Sequence, residues 1–191
     1  MRRSMILVLP VLVAGCGYNT IQTYDEQANA ARSTIEVQLQ RRADLIPNLV
    51  ETVKGYAAQE QAVFTEVARA RAGLAGAIQT RDPSQMANAN SELTGALGRL
   101  IAVAEAYPQL KSDQNFIRLQ DELSGTENRV AVARQDYNEA ARNYNTYIRR
   151  FPQTLTAKVI GADPKSYFEV TTPGAREAPK VDFSKEPAKA P

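Results

Sequence analysis

The chain has 191 residues, 43% of them hydrophobic and 23% charged, which is enough apolar material for the core of one domain. It holds no His and a single Cys, so the commonest general base, the commonest metal ligand and any intramolecular disulfide are all excluded. The formal charge is +2, and setting Arg2 and Arg3 aside leaves 21 basic against 21 acidic residues. A balanced surface offers no phosphate-neutralising face, which argues against nucleic-acid binding.

The amino terminus reads as a secretory signal over residues 1–15. Arg2 and Arg3 precede an apolar run from Met5 to Val13, which closes in Val13, Ala14, Gly15 and Cys16. The run falls short of the roughly 20 residues that a membrane-crossing helix requires, and Pro10 interrupts it. Val13 to Cys16 resembles the bacterial lipobox, in which the cysteine thiol carries a diacylglycerol and becomes the first residue after cleavage. Cys16 is therefore the expected lipidation site. Acyl chains at about 0.8 kcal/mol per buried CH₂ give a stable anchor without a transmembrane helix. The expected location is the periplasmic face, and Gly17 after the cysteine points to the outer membrane.

Residues 16–170 read as an all-α, antiparallel up-down bundle. From Tyr18 to about Ala77, apolar residues recur in steps of three and four, including Ile21, Ala28, Ile35, Leu39, Leu49, Val53, Phe64 and Val67. Pro47 interrupts this stretch by removing a backbone donor and crowding the carbonyl near Ala43. A kinked continuous helix and two helices meeting at Asp44 both fit, and the kinked long first helix is preferred. Gly73, Gly76 and the run from Gln79 to Pro83 read as a turn, with Asp82 as N-cap and Pro83 at the first helical position. The following helix carries Met86, Leu93, Leu97, Leu100 and Ile101 and stops at Tyr107, before Pro108.

The last helix has the clearest periodicity. Phe116, Leu123, Val130, Tyr137, Tyr144 and Phe151 are each seven apart, with Leu119, Thr126, Ala133, Ala140 and Tyr147 as a second row. Asp121, Asn128, Gln135, Arg142 and Arg149 form a polar outer row, so the pattern is that of a coiled-coil seam. Asn138 and Asn145, beside that seam, are placed to fix helix register. After Pro152, Leu155, Val159, Ile160, Tyr167 and Phe168 are expected to dock as a short cap. Residues 171–191, with Pro173, Pro179, Pro187 and Pro191, read as a disordered tail.

No convergent nucleophile, base or metal cluster emerges, so neither enzyme activity nor a cofactor nor a metal is expected. The locally unusual segment is Gln40 to Glu51, where Arg41, Arg42, Asp44, Asn48 and Glu51 surround Pro47. These five residues, with Glu127, Asn128 and Arg129 on the last helix, are the expected partner-binding set. The bland alternative has the arginines solvated and Asp44 and Asn48 serving the backbone groups that Pro47 frees.

The segments Gln40–Ala57, Ala106–Lys111, Thr126–Asn138, Tyr144–Pro152 and Tyr167–Glu169 resemble the LemA family, with the likeness covering roughly residues 18–183. The resemblance implies an N-terminally membrane-attached helical bundle without an established reaction. It also implies an accessory role beside an envelope protein such as a membrane peptidase or a TPM-domain protein, with self-association open. Many relatives look as if they carry a true transmembrane helix, from which the lipobox here departs. The expectation is thus a lipid-anchored envelope scaffold or adaptor. The alternative is a binding module holding an envelope ligand, a peptidoglycan fragment or a lipid, between its helices.

Overall fold

The computed structural model describes residues 5–169, with side chains from Gly17 onward. The Cys16 side chain and the proline-rich tail lie outside the described residues. Six helices follow in order: α1 (Met5–Ala57), α2 (Gln61–Thr80), α3 (Pro83–Glu105), α4 (Pro108–Lys111), α5 (Gln114–Arg149) and α6 (Gln153–Ile160). No strand occurs among the described residues. Among them, too, no helix is long and apolar enough to cross a membrane.

The architecture is the antiparallel all-α bundle the periodicity predicts, with one more long helix. Its spine is the pair of α1 and α5. Tyr24 stacks beside Tyr147, Gln38 bonds Arg129, Arg42 meets Glu127 and Tyr56 bonds Asp113. The partners climb α1 as they descend α5, so the two helices run antiparallel over more than thirty residues of each. The α2–α3 hairpin packs on the α1 half of this spine, and α4 closes the end near Tyr56. α6 folds back against α1 and α5 at the opposite end.

The first stretch breaks away from its proline. α1 continues through Pro47, and the break falls at Ala58–Glu60, where neither Pro nor Gly punctuates. The chain reverses there because Ala57 (0% exposed) and Phe64 (5%) must enter one core from consecutive helices. Pro47 is tolerated because Arg71 of α2 donates its Nε–H to the Ala43 carbonyl at 2.9 Å. That carbonyl is the one Pro47 leaves without a helical donor. Asp44 instead accepts from Gln40, so it does not serve the freed backbone.

Gly73 and Gly76 lie within α2, which ends only at Thr80. The turn rests on Arg81, held at φ 55°, a conformation that costs a non-glycine residue about 1 kcal/mol or more. Asp82 caps α3 as predicted: its Oδ1 accepts from the backbone N–H of Ser84 at 2.8 Å and of Gln85 at 3.4 Å, with Pro83 next. Asp113 caps α5 in the same way through Asn115 and Phe116.

The heptad seam holds from Phe116 to Tyr137, and then rotates. Beyond Tyr137 the buried residues are Ala141, Tyr144, Asn145 and Ile148, of which only Tyr144 keeps to the predicted rows, and Phe151 lies past the end of α5 and is 81% exposed. An α-helix drifts by about 20° per heptad against a 3.5-residue repeat, so a strict seven-residue extrapolation loses the core face. The cap is also corrected. Only Ala157 and Phe168 are buried there, while Leu155, Val159, Ile160 and Tyr167 are exposed.

Most buried residues form one cluster running from Ile35 through Leu49, Leu74, Leu93 and Leu100 to Tyr137 and Phe168. A second, smaller cluster joins Ile21, Tyr144, Ile148 and Ala157.

Candidate functional site

Arg42 occupies a core-facing position of α1 and is only 4% exposed. Bare burial of a guanidinium would cost several kcal/mol, so its partners decide whether the helix can tolerate it. They come from two other helices. Nη1 donates to Asn90 Oδ1 at 2.5 Å and lies 2.5 Å from Glu127 Oε2, and Nη2 donates to Thr94 Oγ1 at 3.1 Å. Asn90 and Thr94 are successive turns of α3, where Thr94 also donates to the Asn90 carbonyl. Burial pulls the Arg42 pKa down, and the charge and hydrogen bond of Glu127 oppose that shift only in part. Guanidinium nevertheless stays protonated at any physiological pH. The node ties α1, α3 and α5 into one register. Its two terminal nitrogens are engaged inside the protein, while the buried Nε has no hydrogen-bond partner, and the three-helix linkage makes it a structural clasp.

The remaining predicted residues divide into two places. Arg41, Asp44, Asn48 and Glu51 are exposed and spaced three, four and three apart, so they form one outward stripe of α1. Ala43, Ile46, Leu49 and Val53, which alternate with them, are buried. Asn128 and Arg129 are exposed on α5. They line a shallow groove of about 320 Å³ with Thr34, Gln38, Val132, Ala133 and Asp136, and Arg129 Nε donates to Gln38 Oε1 at 3.2 Å. The eight predicted residues are therefore not one surface. Arg42 and Glu127 are internal partners, the stripe is one face, and the groove is another.

Three features escaped the sequence reading. Asn90 and Thr94 hold Arg42, although the Asn residues of α3 read only as weak helix formers. Arg71 serves the proline site. Asn138 and Asn145 bind the chain after α6 instead of setting helix register. Asn145 donates through Nδ2 to the Lys165 carbonyl at 2.9 Å and accepts from the Lys165 N–H at 2.7 Å. Asn138 does the same for Phe168, at 3.3 Å and 2.8 Å. Seven helical residues rise about 10.5 Å and three extended residues span about 10 Å, so two carboxamides one heptad apart match an extended strap. Tyr137 adds a hydrogen bond from its hydroxyl to the Ser166 carbonyl at 2.7 Å. Lys165 reaches the other way, to Asp25 at 2.8 Å and Asn29 at 3.2 Å. The signal for this was present in the spacing of the two asparagines; its partner segment carried none.

Among the described residues, no group of three or more His, Cys, Asp or Glu side chains is placed to hold a metal ion. Hollows there include open surface grooves of about 300–440 Å³.

Similar proteins sharpen this picture. The chain is 33% identical to magnetosome protein MamQ 2 and, equally, to magnetosome protein MamQ 1 of Paramagnetospirillum magneticum, over 175 residues in each case. It is 32% identical over 174 residues to magnetosome protein MamQ of Magnetospirillum gryphiswaldense. These alignments cover 80%, 80% and 79% of this chain, and the chain spans 64% of the length of these curated relatives. Residues 31–183, which contain the Arg42 clasp, the outward stripe and the asparagine-held strap, match the LemA family. This chain belongs to the LemA family.

Proposed function

We propose that this protein is a non-enzymatic scaffold of the cell envelope, held at the extracytoplasmic membrane surface by lipid on Cys16, that presents α1 to another envelope protein. The observation that carries the partner reading is the stripe of Arg41, Asp44, Asn48 and Glu51. Four polar residues share one exposed face of a helix whose opposite face is locked by the Arg42 clasp and by Arg71. Rigid presentation lowers the ordering cost of binding. The lipobox-like Val13 to Cys16 supports the anchor. Relatives named for the magnetosome fit a structural role better than turnover of a small molecule. A membrane peptidase or a TPM-domain protein is the partner class to test first. A ligand held between the helices finds less support, because the interior there is filled by apolar side chains and the terminal nitrogens of its buried arginine are already held by Asn90, Thr94 and Glu127.

The test is site-specific photo-crosslinking in the membrane, with the reactive residue at Asp44 or Asn48 and, for comparison, at exposed Glu92 of α3. The proposal expects one shared adduct from Asp44 and Asn48 that Arg41→Glu abolishes and Glu92 does not give. Equal adducts from Glu92, or adducts indifferent to Arg41→Glu, would remove the stripe from the account. Arg42 is unsuitable for this comparison, since its substitution disturbs the bundle itself.

A further inference from the structure

The end of the bundle built by α6 turns its apolar side chains outward. Leu155 and Val159 are one helical turn apart on the same face, 56% and 86% exposed, and Phe151 just before the helix is 81% exposed. The packed side of α6 is the poorer one, with Ala157 against Ile21, Tyr144 and Ile148. Single exposed hydrophobic residues are ordinary, but a helix that buries alanine and exposes its large side chains inverts the usual surface pattern. The charge around them is mostly positive, with Asp163 as the acidic neighbour beside Arg149 and Lys158. Arg149, Arg150 and Lys158 are exposed, and no acidic residue occurs from Arg149 through Ala162.

The position of this surface matters as much as its chemistry. A Cβ added to Gly17 of α1 would sit 3.5 Å from Gln153 Cγ and 3.7 Å from Thr156 Oγ1, so α6 packs where α1 leaves the bundle. Gly17 directly follows Cys16, the expected lipidation site. A membrane that holds a lipid on Cys16 is therefore within reach of α6. A second copy is a poor occupant, because a two-fold contact would set three cations against the same three.

We propose that α6 is a second membrane contact, with Phe151, Leu155 and Val159 entering the headgroup–acyl boundary of an anionic bilayer and Arg149, Arg150 and Lys158 facing its phosphates. The inference rests on the attachment reading above, and it adds that the bundle is held at two points, which restricts its tilt on the membrane.

The chain has no tryptophan, so one introduced indole reports alone. The full chain carrying Val159→Trp is reconstituted into phosphatidylcholine–phosphatidylglycerol vesicles with bromine on the acyl chains, beside a Val132→Trp chain, whose site lies mid-way along α5. A bilayer contact 5–10 Å deep predicts quenching roughly threefold or more stronger for Val159→Trp than for Val132→Trp, falling when phosphatidylglycerol is omitted. If the chain floats with the vesicles but the two emissions are quenched alike, the α6 contact is wrong and the attachment stands. A chain that does not float with vesicles overturns both.

Discussion

Arg71 and Pro47 solve one problem together: the proline deprives the Ala43 carbonyl of its helical donor, and the arginine of the next helix supplies one at 2.9 Å. The arrangement lets α1 run on unbroken through a residue that ordinarily ends a helix, and it stations α2 against α1 at a fixed height. It also leaves the stripe from Arg41 to Glu51 on a single continuous helix.

The arginine matters only because the proline is there. Arg71→Ala is expected to cost about 1–2 kcal/mol in urea unfolding, the cost of a buried carbonyl left unpaired. In a Pro47→Ala background the helix regains its own bond, and the same substitution is expected to cost under about 0.5 kcal/mol. Equal costs in both backgrounds would show that Arg71 acts through something other than Ala43.

The Arg42 clasp predicts an asymmetric response. Arg42→Ala opens space and strands Asn90 and Thr94, and about 2–4 kcal/mol of stability should be lost. Glu127 buries the Oε2 that faces Arg42, but its side chain is 43% exposed overall and an amide keeps an oxygen there, so Glu127→Gln should cost only about 1 kcal/mol. Denaturant titrations of the two variants decide this, and a larger loss for Glu127→Gln would reverse the assignment of which partner needs the other.

The strap after α6 should open when its asparagine supports are removed. Asn145 is 5% exposed and holds Lys165 from both sides of its peptide group. Asn145→Ala is expected to speed limited trypsin cleavage of the Lys165–Ser166 bond at least roughly tenfold over the parent chain. An unchanged cleavage rate would mean that Asn138, Tyr137 and the Lys165 contacts hold the strap without Asn145.

Alkaline pH should loosen the same region. Burial raises the Tyr137 pKa above that of a free phenol, so the folded chain keeps the proton longer than the unfolded one. Between the two values the native state binds more protons, and stability falls with rising pH. The contribution is complete below about pH 10 and is lost as pH climbs through the folded value. Tyr137→Phe should therefore lower stability at pH 7 by about 1 kcal/mol, through the lost Ser166 bond, yet flatten the decline above pH 10. A decline of unchanged steepness would assign it to other tyrosines.

Much of the bundle is readable from local pattern. Asp82 with Pro83, the stop before Pro108, and the seam from Phe116 to Tyr137 follow from capping chemistry and periodicity alone. The break at Ala58–Glu60 does not, because it is fixed by where α2 must lie and not by a turn residue. Proline signalled a disturbance at Pro47 but could not show that Arg71, twenty-four residues on, would repair it. The polar segment around Pro47 was visible as unusual. Its division into a buried Arg42 and an outward Arg41 follows once the core face of α1 is known, whereas Asn90 and Thr94 as partners required the tertiary fold.

The claim beneath the proposed role is that Cys16 fastens this bundle to the envelope. Intact mass and fragmentation of the amino terminus of protein taken from membranes tests it directly. The account predicts a chain that begins at Cys16 with a diacylglycerol thioether on its sulfur. A chain that retains Met1, or begins at Cys16 with a free thiol, would contradict it.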